Sequence, residues 1–343
     1  MTDEHYMQRA LELALGGEGS VSPNPLVGCV LVQHGTIIGE GWHRQFGHAH
    51  AEVNAIESVA DKQQVASATA YVNLEPCSHF GKTPPCADRL IKEKVARVVI
   101  ANEDPNPLVN GGGIKKLREA GIEVVTGVLE GRGRELNRRF FVFHEKQRPY
   151  IILKWAQTFD RLLAHPNGDS KWISNEYARQ WVHRWRATED AVLVGTKTAA
   201  HDNPQLTVRD WTGRHPVRIV FDRFLRLPEN LHVFDRKQLT ICYNVLRHEE
   251  HPQLVLARVS EENFLADVLH DLYQRRIQSV IVEGGAMTLS LFIEAGCWDE
   301  ARVFTSPRTF GKGIAAPAVP GRRIATHDIQ GDRLDIIKNE SPS

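Results

Sequence analysis

Three observations predict two successive α/β domains. Strand and helix patterns alternate from about residue 70 to 145, which calls for a layered α/β architecture. The alternation stops at Gln147-Arg148-Pro149 and restarts with an apolar strand at 150–155. A chain of 343 residues also exceeds one ordinary domain of about 100–200 residues. Domains at 1–146 and 150–343 follow.

In the first domain Asp3 caps a helix whose apolar positions Met7, Ala10, Leu11 and Ala14 recur at helical spacing, up to Gly16-Gly17. Ser22-Pro23-Asn24-Pro25 is a turn-rich loop. An apolar strand at 26–32 turns at His34-Gly35 into a second strand at 36–42. A helix at 51–59, a strand at 70–74 and a helix at 88–94 come next. A strand at 95–101, a helix at 114–120 closed by Gly121, a strand at 122–126 and one long helix at 130–145 complete the domain. The second domain opens with the strand at 150–155 and a helix at 175–187. Strands at 190–194, 217–222 and 239–243, a helix at 263–275 and a strand at 279–283 continue it. A helix at 288–295 and a strand at 300–305 end the pattern.

Composition narrows the function classes. Hydrophobic residues at 42% and charged residues at 24% describe an ordinary globular chain. Lysine plus arginine equals aspartate plus glutamate at 42 each, so no bulk charge draws the chain to nucleic acid or to a membrane surface. No apolar run reaches the roughly 18 residues of a membrane-spanning helix, and Met1-Thr2-Asp3-Glu4 lacks a secretory pattern. The five cysteines form no disulfide framework, which fits a reducing cytoplasm.

The chemistry concentrates between residues 48 and 86. His50, Cys77 and Cys86 supply imidazole and thiolate ligands for zinc, whose catalytic sites keep three protein ligands and an open position for water. Glu52, two residues after the histidine, is placed to move protons between that water and a substrate. His-x-Glu followed by Pro-Cys and a second cysteine is the pattern of zinc nucleobase deaminases. The nine-residue step from Cys77 to Cys86 departs from their Cys-x-x-Cys, and Pro84-Pro85 restores the geometry by opening a helix before Cys86. A closed structural zinc site is the alternative. It would need His79 or His48 as fourth ligand and leaves Glu52 without a role.

Three glycine-rich stretches remain. Asn110-Gly111-Gly112-Gly113 resembles a phosphate loop but lacks the Gly-Lys-Ser/Thr ending, so a loop leading into a helix is the equal reading. Gly311-Lys312-Gly313 fits a dinucleotide fingerprint only formally. Glu283-Gly284-Gly285 ends an apolar strand and opens a helix, where backbone amides hold an anion or merely form a tight turn.

Taken together the motifs resemble the bifunctional deaminase/reductase family of riboflavin biosynthesis, over nearly the whole chain. The resemblance rests on Asn24-Pro25-x-Val27-Gly28, His50-Ala51-Glu52, the Pro76-Cys77 to Pro85-Cys86 segment and Asp104-Pro105-Asn106-Pro107. It continues through Lys154, Gly168-x-Ser170-x-Trp172, Arg186-Ala187, Asp202-Asn203-Pro204, Leu206-Thr207, Arg209 and Glu283-Gly284-Gly285. The long cysteine spacing is itself characteristic of that family. The resemblance implies a cytidine-deaminase-like α/β/α domain followed by a dihydrofolate-reductase-like α/β domain, with Zn2+ and NADPH as cofactors. It implies catalysis by Glu52 and NADPH contacts at Ala156, Trp172, Thr198, Asp202, Gly284 and Gly285. Substrate contacts are implied at Asn24, Lys154, Ser170, Arg186, Leu206, Arg209 and Glu283. The implied substrate is a small phosphoribosyl pyrimidine, with no nucleic acid or membrane partner and a homodimer formed through the reductase half. One departure stands out: Asp160-Arg161-Leu162 replaces the family's usual Asp-Gly-Arg, putting arginine where glycine would permit positive φ.

Two other functions compete. A deaminase acting on a base within nucleic acid needs a basic surface that tracks the backbone, and the charge balance speaks against it. A catalytically silent zinc-binding regulator is opposed by the intact Glu52.

Overall fold

A computed structural model describes residues 1–79, 84–107, 109–170 and 173–340. The chain divides into two units between Gln147 and Arg148.

The first unit runs α1 Asp3–Ala14, β1 Gly28–Gln33, β2 Thr36–Trp42, α2 Ala51–Ser58, β3 Thr69–Leu74, α3 Cys86–Lys92 and β4 Arg97–Asn102. It closes with α4 Gly112–Glu119, β5 Glu123–Thr126, α5 Glu130–Leu136 and α6 Arg138–Lys146. Its sheet has the order β2-β1-β3-β4-β5, antiparallel through β3 and parallel from β3 to β5. Alternate residues of the central strands feed two cores. Cys29, Leu31, Val72, Val98 and Ile100 face Ala55, Ile56, Leu90 and Leu117 of α2, α3 and α4. Val30, Tyr71 and Val99 face Met7, Ala10 and Leu11 of α1. Burial on both faces explains why these strands read as unbroken apolar runs.

The expected long helix at 130–145 is broken at Asn137. Its side-chain amide pairs with the backbone of Leu26, accepting from Leu26 N at 2.8 Å and donating to Leu26 O at 2.9 Å. Asn73 also donates to Leu26 O and accepts from Gly28 N, so the strand expected from residue 26 begins at Gly28. Asparagine amides compete with backbone groups for such bonds, and here they fix the loop that carries Asn24.

The second unit contains β6 Tyr150–Gln157, β7 Leu162–Ala164, α7 Glu176–Thr188, β8 Ala191–Gly195, α8 Thr196–Asp202, β9 Val217–Phe221, β10 Thr240–Asn244, β11 Glu249–His251 and β12 Leu254–Arg258. It continues with α9 Phe264–Gln274, β13 Ser279–Val282, α10 Ala286–Glu294, β14 Glu300–Thr305, β15 Ile314–Ala315, β16 Arg322–Ile329 and β17 Asp332–Lys338. A ten-stranded sheet has the order β11-β12-β10-β9-β8-β13-β6-β14-β17-β16. The seven strands from β12 to β14 are parallel, and antiparallel strands close both edges. No helix among the described residues is long and apolar enough to cross a membrane.

Arg161 adopts φ +61. The turn therefore keeps a left-handed residue despite lacking glycine, closed by Arg161 N to Thr158 O at 2.9 Å and Thr158 N to Leu162 O at 3.0 Å. A left-handed L-residue costs roughly 1–2 kcal/mol, and glycine returns roughly 0.5–1 kcal/mol of that as unfolded-state entropy. Arg161→Gly is thus expected to stabilise the second unit by about 0.5–1 kcal/mol. Chemical denaturation of both proteins measures it, and an unchanged or lower midpoint contradicts the strain.

Candidate metal and reductase sites

The metal residues come from three short turns. His50 precedes α2 as its N-cap, in extended conformation, and Glu52 follows in the first turn. Cys77 lies three residues beyond the end of β3, and Cys86 is the first residue of α3 with Pro85 as its N-cap. His50 Nδ1 stands 3.3 Å from Cys86 Sγ and 3.6 Å from Cys77 Sγ, and the three donor atoms lie within 4.8 Å of one another. A tetrahedral zinc with bonds of about 2.0–2.3 Å needs edges of roughly 3.4–3.8 Å, so the donor set fits the ion. His48 and His79 are exposed and outside the cluster. Three ligands converge among the described residues, which is the open arrangement.

Electrostatics favour a cation there. The Cys86 thiol and His50, with the Cys86 backbone N–H 3.3 Å from Cys77 Sγ, bring the Cys77 thiol down to about 4. Hydrogen bonding to that sulfur and burial push the Cys86 thiol up. Glu52 is 3% exposed, and burial raises its carboxyl above the ordinary range, helped by the charge of Cys77.

Sequence reasoning missed two residues of this site. Buried His43 donates from Nδ1 to Ala49 O at 3.1 Å, because a carbonyl can only accept. Its Nε2 then accepts from Asn24 Nδ2 at 3.1 Å, and its ring lies 5.2 Å from that of His50. The second is Glu75, one residue past β3. Its carboxylate accepts four backbone N–H groups: Gly113 at 2.9 Å, Gly111 at 3.0 Å, Ile114 at 3.1 Å and Asp104 at 3.2 Å. Of the two readings of this stretch the loop leading into a helix is the one observed, and its amides hold an internal carboxylate. A Cβ on Gly113 would lie 1.9 Å from Pro76 O, so glycine alone lets α4 reach the metal loop.

The second unit gathers its residues at the carboxyl ends of adjacent parallel strands, where open α/β sheets bind ligands. Glu283 follows β13. Arg186 of α7 grips it through Nε and Nη2 at 2.7 and 2.8 Å, and Lys154 of β6 approaches to 3.8 Å. Burial alone would raise the Glu283 carboxyl, but Arg186 and Lys154 overcome it and hold it down to about 2. Arg186 also donates to Thr207 O at 3.2 Å, and Arg209, two residues further on, is exposed. Leu206 is 2% exposed and belongs to the core, so its position reaches a ligand only through its backbone. Thr198 of α8 accepts the Gly285 N–H at 3.0 Å, closing the turn before α10.

A Cβ on Gly284 would lie 2.5 Å from Thr288 Cβ, so glycine there lets the turn pack against the first turn of α10. Ala156, Thr198, Gly284 and Gly285 come from β6, from α8 following β8, and from the turn following β13; these three strands are neighbours in the sheet. Ser170 and Asp202 are described; Trp172, like Gly81 and Thr83 of the metal motif, lies outside the described residues. The Gly311-Lys312-Gly313 stretch is no fingerprint: Asp160 takes the Phe310 and Gly311 amides, and the chain runs on into β15 against β7.

Comparison with known proteins places this geometry. The RibD C-terminal domain matches residues 149–336, and the zinc-binding region of cytidine and deoxycytidylate deaminases matches residues 1–102. A riboflavin biosynthesis protein RibD from Aquifex aeolicus is 43% identical over 319 residues, covering 91% of this chain and 89% of that protein. The chain belongs to the RibD family. The family's Escherichia coli relative is 38% identical over 330 residues, with 91% and 89% covered. The crystal structure of a diaminohydroxyphosphoribosylaminopyrimidine deaminase/5-amino-6-(5-phosphoribosylamino)uracil reductase from Thermotoga maritima superposes with a TM-score of 0.88 at 39% identity, over 98% of each chain. RibD from Acinetobacter baumannii gives 0.90 at 35% identity, over 98% of this chain and 99% of that one. The fold is that of a cytidine-deaminase-like unit followed by a dihydrofolate-reductase-like RibD reductase unit.

Two predictions follow from this geometry. Metal analysis is expected to find about one zinc per chain, and less in Cys86→Ser and in Glu75→Gln, whose amide nitrogen would face backbone donors. Full zinc in both variants contradicts the assignment. Glu283 is depressed in the folded state, so its stabilisation is complete above the unfolded carboxyl value and lost as pH falls from about 4.5 toward 2. The stability gap between the native chain and Glu283→Gln should narrow across that window in denaturation experiments; a pH-independent gap argues against the pairing.

Proposed function

We propose that the unit Met1–Gln147 hydrolytically deaminates diaminohydroxyphosphoribosylaminopyrimidine and that the unit beginning at Arg148 then reduces the ribosyl group of the product to ribityl. The chain is a bifunctional enzyme of riboflavin biosynthesis that uses zinc and NADPH. The observation that carries the residue assignments is the open His50-Cys77-Cys86 cluster with a buried glutamate in the same helix turn as its histidine.

Zinc held by His50, Cys77 and Cys86 supplies the Lewis acidity that makes water a nucleophile near neutral pH. Glu52 takes the proton of the attacking water on a carboxylate oxygen and delivers it to the ring nitrogen. Glu52 then takes the remaining hydroxyl proton as the carbonyl forms and passes it to the amine, which leaves as ammonia. Asn24, held by His43, faces the substrate ring or ribose.

In the reductase unit NADPH supplies the hydride, and Ala156, Thr198, Asp202, Gly284 and Gly285 would hold it. Lys154, Ser170, Glu283 and the Leu206 backbone line the substrate side. Arg186 spends its fork on Glu283, so pairing with the substrate phosphate falls to Arg209, whose guanidinium is steadied by Gln205 and Thr207. A homodimer through the second unit, the absence of a nucleic-acid partner and a reducing cytoplasm belong to the same reading. Family resemblance supports the first, the charge balance the second, and five free cysteines including two metal thiols the third.

Glu52→Gln tests the division of labour. Deamination should fall by at least about 10²–10⁴-fold with zinc retained, while NADPH is still oxidised when the deaminated compound is supplied. Loss of both activities in a folded, zinc-loaded variant overturns the assignment of one activity to each unit.

A further inference from the structure

Between α8 and β9 the segment 203–209 lies outside the strands described, and four of its backbone groups are met by side chains from elsewhere. Fully buried Arg218 donates to Gln205 O at 2.9 Å, and Arg186 donates to Thr207 O at 3.2 Å. His215 Nδ1 accepts from Val208 N at 3.2 Å, and His183 Nδ1 accepts from Arg209 N at 3.2 Å. Asn203 Oδ1 accepts from His232 N, whose carbonyl in turn takes Arg218 Nη1. This holding is needed at Leu206, which sits at φ +55. Left-handed conformations in such residues persist only when their surroundings over-determine them.

His183 and Arg186 are three apart on α7 and so share one face of the helix. The first takes the amide of Arg209 and the second the carbonyl of Thr207, two residues earlier. The backbone N–H of Arg209 can only donate, so His183 Nδ1 must be unprotonated. Burial, reinforced by the charges of Arg186 and Arg209, keeps the ring neutral, and its Nε2 stands 3.5 Å from Asp210 Oδ2.

We infer that His183 is a positioning residue for the reductase substrate, fixing through Nδ1 the backbone from which Arg209 reaches the phosphate. The inference rests on the reading of Arg209 as the phosphate contact. It assigns the ring no contact with substrate or cofactor.

The amide side chains of asparagine and glutamine separate this role from packing. Asparagine places its oxygen near the site of Nδ1 and keeps the acceptor. Glutamine places it near Nε2 and loses it. Reductase kinetics with the deaminated substrate and NADPH should show the substrate KM of His183→Gln raised roughly five- to a hundredfold, the range for a donor left unpaired. Its kcat and its KM for NADPH should stay within about twofold, and His183→Asn should restore the substrate KM. Equal behaviour of the two variants, or a fall in kcat alone, overturns the inference. Arg209→Ala is measured alongside. If it raises the substrate KM while His183→Gln does not, His183 lacks the role and Arg209 keeps its own. If His183→Gln raises KM with Asn rescue and Arg209→Ala does not, the positioning stands and the phosphate contact lies elsewhere on the segment.

Discussion

In each half of the chain a glutamate stands one residue past a buried central strand, and the site is assembled around it. Glu75 follows β3 and Glu283 follows β13. A carboxylate in such a place is costly unless its charge is answered locally. The two halves answer differently. Glu75 is met by four backbone amides, three of them at the start of α4, whose dipole favours negative charge. Glu283 is met by the guanidinium of Arg186 and the ammonium of Lys154. The first solution ties the metal loop to a helix. The second ties a strand end to α7 and, through Arg186, to the segment carrying Arg209.

The legibility of the sequence follows from the same physics. Zinc demands particular donor types, so His50, Cys77 and Cys86 announce themselves, and a glutamate two residues from the histidine follows from the chemistry. Strands buried on both faces announce themselves through continuous apolar residues, as at β3, β4, β8 and β13. Glu75, His43 and Asn137 carry no such mark, because their partners are backbone groups or side chains far along the chain. The glycine run at 111–113 left a phosphate loop and a plain helix start as equal readings, since nothing local reveals that Glu75 lies against it. The hairpin of β16 and β17 escaped because β16 is exposed along nearly its whole length and shows no alternation. The short helix α8 left too few turns for a periodic pattern.

Two left-handed residues differ in what holds them. Arg161 and Leu206 both hold positive φ without glycine. Arg161 lies in a turn closed by its own neighbours, and its geometry is local. Leu206 is held from α7, β9 and the loop between, so its geometry is a property of the whole unit.

The reach of Asn137 and of the amides at 111–114 bears on how this protein can be divided. The deaminase signature ends near residue 102, yet Asn137 holds Leu26 beside the loop of Asn24, and Glu75 is seated by residues up to Ile114. A fragment cut where the signature stops would keep every metal ligand and lose the struts that aim them. The heritable module is therefore longer than its recognisable motif. Any natural or engineered fusion exchanging the first activity must carry the chain through α5 and the asparagine beyond it.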